Sequence, residues 1–385
     1  MAMLSSPRIK GWCPGAWRPM ATGDGLLVRV RPPMGELSRA QLLALCDAAE
    51  TFGSGLIELT RRANIQLRGV SHASWPPLMD FLLRHQLVSA DPETERQPPL
   101  MLAPDWQAGE DSPTMARLLQ ARGAEVAALP GKVGIAIDAG DAPVLGEEAA
   151  DFRIERSECG GLLVRADGHP AGTAVEDVDT AVALLIRLTH WFMESGGGQS
   201  GRMRRHMAPL PAWAPEDTLP APAGPRLALG RHPAGWVVGL PLGRTTAATL
   251  REWIAPATVT AGRVTPWRRL LLKGAFEAAN DGLILDDADP RLSLDACPGA
   301  PYCEQASVET QRLAERLSGV NSSSVHISGC AKGCARRAAA DLCLVGQSGR
   351  FHLIVNGSAD STPVKSDLTE SEVIAYLESL GALSV

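Results

Sequence analysis

The sequence predicts an α+β fold written twice along one chain, each copy being a β-α-β unit followed by an α/β unit. Three observations predict it: a strand–turn–helix pattern that recurs, a ten-residue segment that recurs, and a hairpin–helix pattern that closes both halves. Pro33 and Pro241 stand 208 positions apart, and Thr60 and Thr265 stand 205 apart, so one duplication accounts for both repeats.

Taken in order, Leu26 to Arg31 alternate as a strand, and Pro33-Met34-Gly35 turn into a helix capped by Ser38 with Leu42 on its apolar face. The counterpart is a strand from Trp236 to Leu240, the turn Pro241-Leu242-Gly243, the cap Thr246 and the apolar Leu250. Thr60 to Gly69 (TRRANIQLRG) and Thr265 to Gly274 (TPWRRLLLKG) are each expected to be strand-like throughout, opening on Thr and closing on a basic residue and Gly. Downstream, Ala149-Ala150-Asp151-Phe152 opens a hairpin that ends at Gly168 and leads to a helix over Val178 to Glu194. Ala339-Ala340-Asp341-Leu342 opens another that ends at Gly357, before a helix from about Glu370 to Leu380 with Thr369 and Glu372 as a capping box. Residues 194–201 and 209–225 read as loop and linker. The expected units are 1–95, 96–208, 209–285 and 286–385, with the halves packed about a pseudo-twofold axis.

Apolar residues make up 45% of the 385 and charged residues 21%, the balance of a soluble globular protein. A net charge of −6 argues against a nucleic-acid partner, because phosphate neutralisation needs a basic surface. No run of ~18 apolar residues suggests a membrane span. The first residues carry polar groups and prolines where a secretory apolar region would lie, so a cytoplasmic location is expected.

The chemistry concentrates near the end. Cys297-Pro-Gly-Ala-Pro-Tyr-Cys303 is followed after 26 residues by Cys330-Ala-Lys-Gly-Cys334. Two glycine-bearing loops thus offer four soft thiolates, the donor set of a cubane iron–sulfur cluster. Structural zinc favours shorter spacings, and disulfides suit an oxidising compartment; both stay open as alternatives. Cys46 and Cys343 read as core, Cys159 as a turn residue, and Cys13 as a turn cysteine with a redox thiol as its alternative. No histidine sits in a metal-ligand frame. His326 reads as core, though its strand leads to Cys330, and His169 and His232 read as turns. The stretch 194–201 lacks a phosphate-cradling frame and no nucleotide fingerprint occurs elsewhere, so electrons would come from a separate donor.

The cysteine spacing, the TRRANIQLRG segment and the duplication together resemble the sirohaem-type nitrite and sulfite reductase superfamily. Its basic strand, roughly T-x-R-x-x-x-Q-x-x-G, is matched by Thr60, Arg62, Gln66 and Gly69. The stretches 11–20, 23–31 and 129–138 are similar to its precorrin-3B synthase branch. The resemblance implies two ferredoxin-like half-domains (1–95 and 209–285) and two cofactor-cradling α/β domains (96–208 and 286–385). It implies a [4Fe–4S] cluster on Cys297, Cys303, Cys330 and Cys334, with Cys334 bridging to sirohaem in the reductases. In the synthase branch a mononuclear non-haem iron is implied instead, its ligands not visible in the sequence. The implied reaction is the monooxygenase step of aerobic cobalamin biosynthesis: O2-dependent hydroxylation of precorrin-3A at C20 with γ-lactone formation. An NAD(P)H-dependent or ferredoxin-type donor would supply it.

Arg62 and Lys132 fall on catalytic positions of the superfamily. Gly134 replaces a second lysine of the reductases, and Leu100 to Trp106 lacks an expected arginine, which favours a bulky tetrapyrrole over a small oxyanion. Arg61, Arg62, Arg68, Lys132 and Arg268 are expected to bind substrate carboxylates, with Arg202, Arg204, Arg205, Arg269 and Lys273 as further candidates and a solvated surface charge as the alternative for each. Lys332 is either a neighbour of the cluster or a loop charge. Arg336-Arg337 stand where the synthase branch is expected to carry His-Pro. The rival functions are a sirohaem sulfite or nitrite reductase and a non-catalytic tetrapyrrole-binding or electron-carrier protein.

Overall fold

The structure is a computed structural model that describes residues 12–274, 280–320, 322 and 324–379. Its framework is four five-stranded sheets, two for each half of the chain. In the first, Met20–Thr22, Gly25–Val30, Ile65–Val70 and Leu56–Leu59 run side by side in antiparallel order. In the second, Gly230–His232, Gly235–Gly239, Arg269–Lys273 and Ala261–Val264 repeat that order. Each sheet takes its fifth strand from the other half. Arg244–Thr246 pairs with Leu56–Leu59, Thr245 opposite Ile57, while Glu36–Ser38 pairs with Ala261–Val264, Leu37 opposite Gly262.

The turns that launch these exchanged strands match closely. Met34 and Leu242 both adopt left-handed backbone, at φ 56° and 54°, ahead of Gly35 and Gly243. The helices follow at once. Ser38 caps Arg39–Phe52 through the Gln41 amide, with the Gln41 side chain closing a capping box, and Thr246 caps Ala247–Ile254 through the Thr249 amide. The two helices pack together, and Leu42, Leu45, Leu250 and Trp253 sink into one core that also takes Val28, Leu67, Val238 and Leu271 from both sheets.

The two remaining sheets share a plan as well. Leu100–Leu102, Ile135–Asp138 and Phe152–Arg156 are parallel, and Leu162–Ala166 and Thr173–Val175 add a hairpin and an antiparallel edge. Leu294–Ala296, Val325–Ser328 and Ala340–Gln347 are likewise parallel, with Arg350–Gly357 and Lys365–Leu368 antiparallel beyond them. Helices Asp111–Ala121 and Val178–Glu194 cover the first of these sheets, and Thr310–Arg316 and Glu370–Ser379 cover the second. The Thr369–Glu372 capping box is present, and Leu380 lies outside the described residues.

Two local expectations change. The ten-residue segments are strand only in their second halves, Ile65–Val70 and Arg269–Lys273. Their first halves are turns, because the hydroxyl of Thr60 takes the amides of Arg62 and Asn64, and that of Thr265 takes those of Trp267 and Arg269. The glycine-rich loop contains one helical turn, Gly197–Ser200, bounded by left-handed glycines at φ 103° and 67°.

Candidate functional site

The four cysteines meet at the C-terminal ends of two parallel strands, where open α/β sheets place their ligands. Cys297 follows Leu294–Ala296, and its amide extends the ladder to Ile327 O at 3.2 Å. Its carbonyl accepts Thr310 Oγ1 and Gln311 Nε2, which ties the loop to the Thr310–Arg316 helix. Gly299 then turns at φ 69°, where a Cβ would run into Thr310 Oγ1, so only glycine fits. The turn closes with the Cys303 amide on Gly299 O at 2.8 Å. From the neighbouring strand, Gly329 N–H donates to Cys297 Sγ at 3.1 Å, and Ser328 Oγ holds Cys330 O at 2.7 Å. Gly333, at φ 58°, brings in Cys334.

These thiols share one electrostatic neighbourhood. Burial pushes the Cys297 thiol up to about 11; amide bonds from Gly329 and Gly299 pull it back, and Cys334 and Cys303 push it further. Cys334 is the most exposed of the four, yet desolvation still raises its thiol, with Lys332 and Arg337 opposing and Cys330 and Cys303 adding. Among the described residues no three His, Cys, Asp or Glu side chains are gathered tightly enough for one metal ion. Tetrahedral zinc at 2.3 Å from each sulfur would hold the sulfurs about 3.8 Å apart. Four thiols brought by two glycine-turned loops into electrostatic reach of one another, one already accepting an N–H bond, are a donor set for a polynuclear iron–sulfur group, whose binding would displace their protons. The mononuclear iron implied by the resemblance has no such ligand set among the described residues.

Beside the cysteine loops, Asp295 gathers three guanidinium groups: Arg61 at 3.0 Å, Arg268 at 3.1 Å and Arg336 at 3.2 Å. Together they line a cavity of about 360 Å³ whose wall also carries Arg226, Arg291 and Glu148. Asp295 pairs in register with His326, and His326 with Cys343. His326 is fully buried, its Nδ1 is 3.5 Å from Cys343 Sγ, its Nε2 has no partner, and burial lowers its pKa to about 4.

A larger groove of about 800 Å³ lies between the Phe152–Ala166 hairpin and the loop after Gly201, with Arg337 from the cysteine loop on its wall. Arg165 grips Glu155 through two bonds of 2.7 and 2.8 Å, and Arg202 Nε meets Asp151 at 2.8 Å. Asp151, fully buried, also accepts the amides of Gly134 and Met203. Arg204, Arg205 and Arg337 form no ion pair within the described residues and line the groove together with Glu147, Glu148 and Asp167.

Arg62 lines neither cavity but lies within electrostatic reach of Arg202 and Asp151. Its Nη2 donates to Lys132 O at 2.9 Å, while Nη1 is buried without a partner. Burial lowers its pKa, with Cys13 opposing and Arg202 reinforcing the shift. Cys13, which reads from sequence as a turn residue, stands against Arg29; burial takes that guanidinium down to about 10, with Cys13 opposing and Arg31 and Arg62 adding. The alternation of Arg29, opposite Gln66 in the Gly25–Val30 strand, with Arg31 just past the strand's end is the sequence signal for this cluster.

Among the other expected substrate ligands, Arg269 lines the smaller cavity while Arg68 and Lys273 line neither. Arg68 is 2% exposed and fully engaged by Asp24 at 2.9 Å, Glu58 at 3.5 Å and Tyr302 O at 2.8 Å, so it braces the interior and faces none of these cavities. Arg269 pairs with Asp287 and Lys273 with Glu36.

Residues 18–85 match the nitrite/sulfite reductase ferredoxin-like half domain. A precorrin-3B synthase from Sinorhizobium sp. is 32% identical over 92% of this chain and 84% of its own length. A ferredoxin–nitrite reductase from Synechococcus elongatus is 27% identical over 88% and 79% of the two chains. The solved structure of Mycobacterium tuberculosis NirA superposes with a TM-score of 0.60 at 20% identity, covering 92% of this chain and 79% of that one, which shows a shared fold. The duplicated half-domains with their exchanged strands, and these relatives, define an oxidoreductase fold of the nitrite/sulfite reductase superfamily. Within it, the chain belongs to the precorrin-3B synthase family. Among the described residues no helix is long and apolar enough to cross a membrane.

Proposed function

We propose that the protein catalyses the O2-dependent conversion of precorrin-3A to precorrin-3B. One oxygen atom enters the product as the C20 hydroxyl, the ring A acetate closes the γ-lactone, and the other oxygen leaves as water with two electrons and two protons. The observation that carries the reading is an arginine-walled groove of about 800 Å³ whose lining includes Arg337, three residues after Cys334. A polycarboxylate macrocycle needs that charge and that room, and a small oxyanion needs neither so spread out. Cys297, Cys303, Cys330 and Cys334 would hold a [4Fe–4S] cluster, which when bound stores and passes single electrons. Those electrons come from a separate ferredoxin-type or NAD(P)H-dependent donor.

The chain's own residues bind and orient. Arg204, Arg205 and Arg337 offer open guanidinium forks to propionate and acetate groups, while Arg153, Arg165 and Arg202 shape the wall through their internal acids. Arg62, anchored on Lys132 O, keeps one N–H edge free in a desolvated place where a carboxylate bond is strong. Gly134 adds no cation beside Lys132; its amide donates to Asp151, and its open face packs against Pro99.

The test is incubation of reduced protein with precorrin-3A under ¹⁸O2 and, separately, with sulfite. Label in the product hydroxyl with no sulfite turnover is the expected result. Robust sulfite reduction without an oxygen-dependent change in the precorrin spectrum would overturn the reading.

A further inference from the structure

The two consecutive arginines after the last cysteine face different places. Arg336 turns into the smaller cavity and binds Asp295 at 3.2 Å. Arg337 turns onto the wall of the larger groove, beside Arg202, Arg204 and Arg205. Six arginines line that groove against the acids Glu147, Glu148 and Asp167, and three of the arginines have no ion-pair partner among the described residues. Arg337 is the one whose backbone belongs to the cysteine loop, three residues after Cys334. Its guanidinium lies within electrostatic reach of Cys334 and of Asp360.

We propose that Arg337 is the positioning residue through which occupancy of the groove is felt at the four-cysteine site: it binds a carboxylate of the macrocycle and thereby changes the reduction potential of the bound cluster. This rests on the cluster reading above. The physics has a definite sign. With the groove empty, a bare guanidinium beside the cluster favours the reduced form, whose extra electron it attracts. With a carboxylate on the exposed Arg337, that attraction is cancelled and the reduced form loses its support. The cluster therefore accepts an electron readily when the groove is empty and becomes a stronger reductant once it is filled. No bond forms or breaks in this step; one electron passes from the reductant to the cluster. Arg204 shares the groove but its backbone lies in the loop after Gly201, so it contributes to binding without this effect.

The experiment uses the holoprotein purified anaerobically, with uroporphyrin I, an octacarboxylate macrocycle, as probe. Affinity is read by fluorescence titration, and the cluster midpoint by visible bleaching in a redox titration with and without saturating probe. In the wild type, saturation should move the midpoint negative by a tenfold change in the oxidised-to-reduced ratio, about 59 mV for one electron. Arg337→Ala and Arg204→Ala should each weaken uroporphyrin binding about tenfold or more. At saturating probe the shift should vanish in Arg337→Ala and persist in Arg204→Ala and Arg337→Lys. An unmoved midpoint in the wild type, or an undiminished shift in Arg337→Ala, would overturn the proposal while leaving the cluster in place. Absence of an iron–sulfur spectrum from the wild type would instead sink the cluster reading, and this proposal with it.

Discussion

Replacing Arg68 with alanine separates a brace from a ligand. The guanidinium is 2% exposed and bonds Asp24 Oδ1 at 2.9 Å, Asp24 Oδ2 at 3.1 Å and Tyr302 O at 2.8 Å, with Glu58 at 3.5 Å. Asp24 and Glu58 are themselves only 11% and 10% exposed, so truncation strands two desolvated carboxylates and one carbonyl. Breaking a buried pair in this way costs about 3–5 kcal/mol, because the charges left behind keep only neutral partners, Thr22 for Asp24 and Gln66 for Glu58. Tyr302 directly precedes Cys303, and Gly23 N–H also reaches its carbonyl, so the damage passes to the cysteine loop. We expect urea unfolding followed by circular dichroism to lose stability by that amount, iron and acid-labile sulfide per chain to fall, and precorrin affinity of the folded fraction to stay unchanged. Asp24→Asn in the same chain should recover part of the loss, since one stranded charge is gone. A loss below about 1 kcal/mol together with weakened precorrin binding would refute the argument and return Arg68 to the substrate ligands.

Serine in place of any of Cys297, Cys303, Cys330 or Cys334 should abolish the broad visible absorption of an iron–sulfur centre, whereas Cys46→Ser and Cys343→Ser, both in the core, should leave iron content unchanged. Arg62→Ala should weaken precorrin binding by about 1.5–3 kcal/mol with a normal cluster spectrum, checked by equilibrium titration. Burial pushes the Asp138 carboxyl up to about 6 against the amide bonds it accepts from Leu145 and Val144. The native state then keeps a proton that the unfolded chain releases near pH 4, so stability should fall by about 3 kcal/mol as pH rises from about 4 to 6. Asp138→Asn should flatten that part of the stability–pH profile, and an unchanged slope in urea titrations at stepped pH would count against the buried proton.

The duplication was legible because its punctuation repeats: Gly35 and Gly243 both turn at positive φ, and Ser38 and Thr246 both cap helices. The threonines at 60 and 265 were visible as landmarks, but their hydroxyls hold turns, and periodicity alone does not separate a turn that enters a strand from the strand itself. The exchanged strands were not legible, since Glu36–Ser38 and Arg244–Thr246 are three residues each and find their partners roughly half the chain away. For the site, the cysteines announced themselves by spacing. The arginines did not sort themselves: Arg62 and Arg68 lie in one segment, and only the placement of Asp24 and Glu58 decides which keeps a free edge. Cys13 and the Asp295 hub depend on contacts far apart in sequence, which no local pattern records.

The reciprocal loan of strands sets the order in which the molecule can be finished during synthesis. The first sheet is complete only when Arg244–Thr246 has left the ribosome, so nearly two-thirds of the chain is made before the edge of Leu56–Leu59 is covered. Severing the chain in the 209–225 stretch would give fragments that each display an open edge matched by a strand on the other. Co-expressed, such fragments should reassemble with one another; expressed singly, each should aggregate through its unpaired edge.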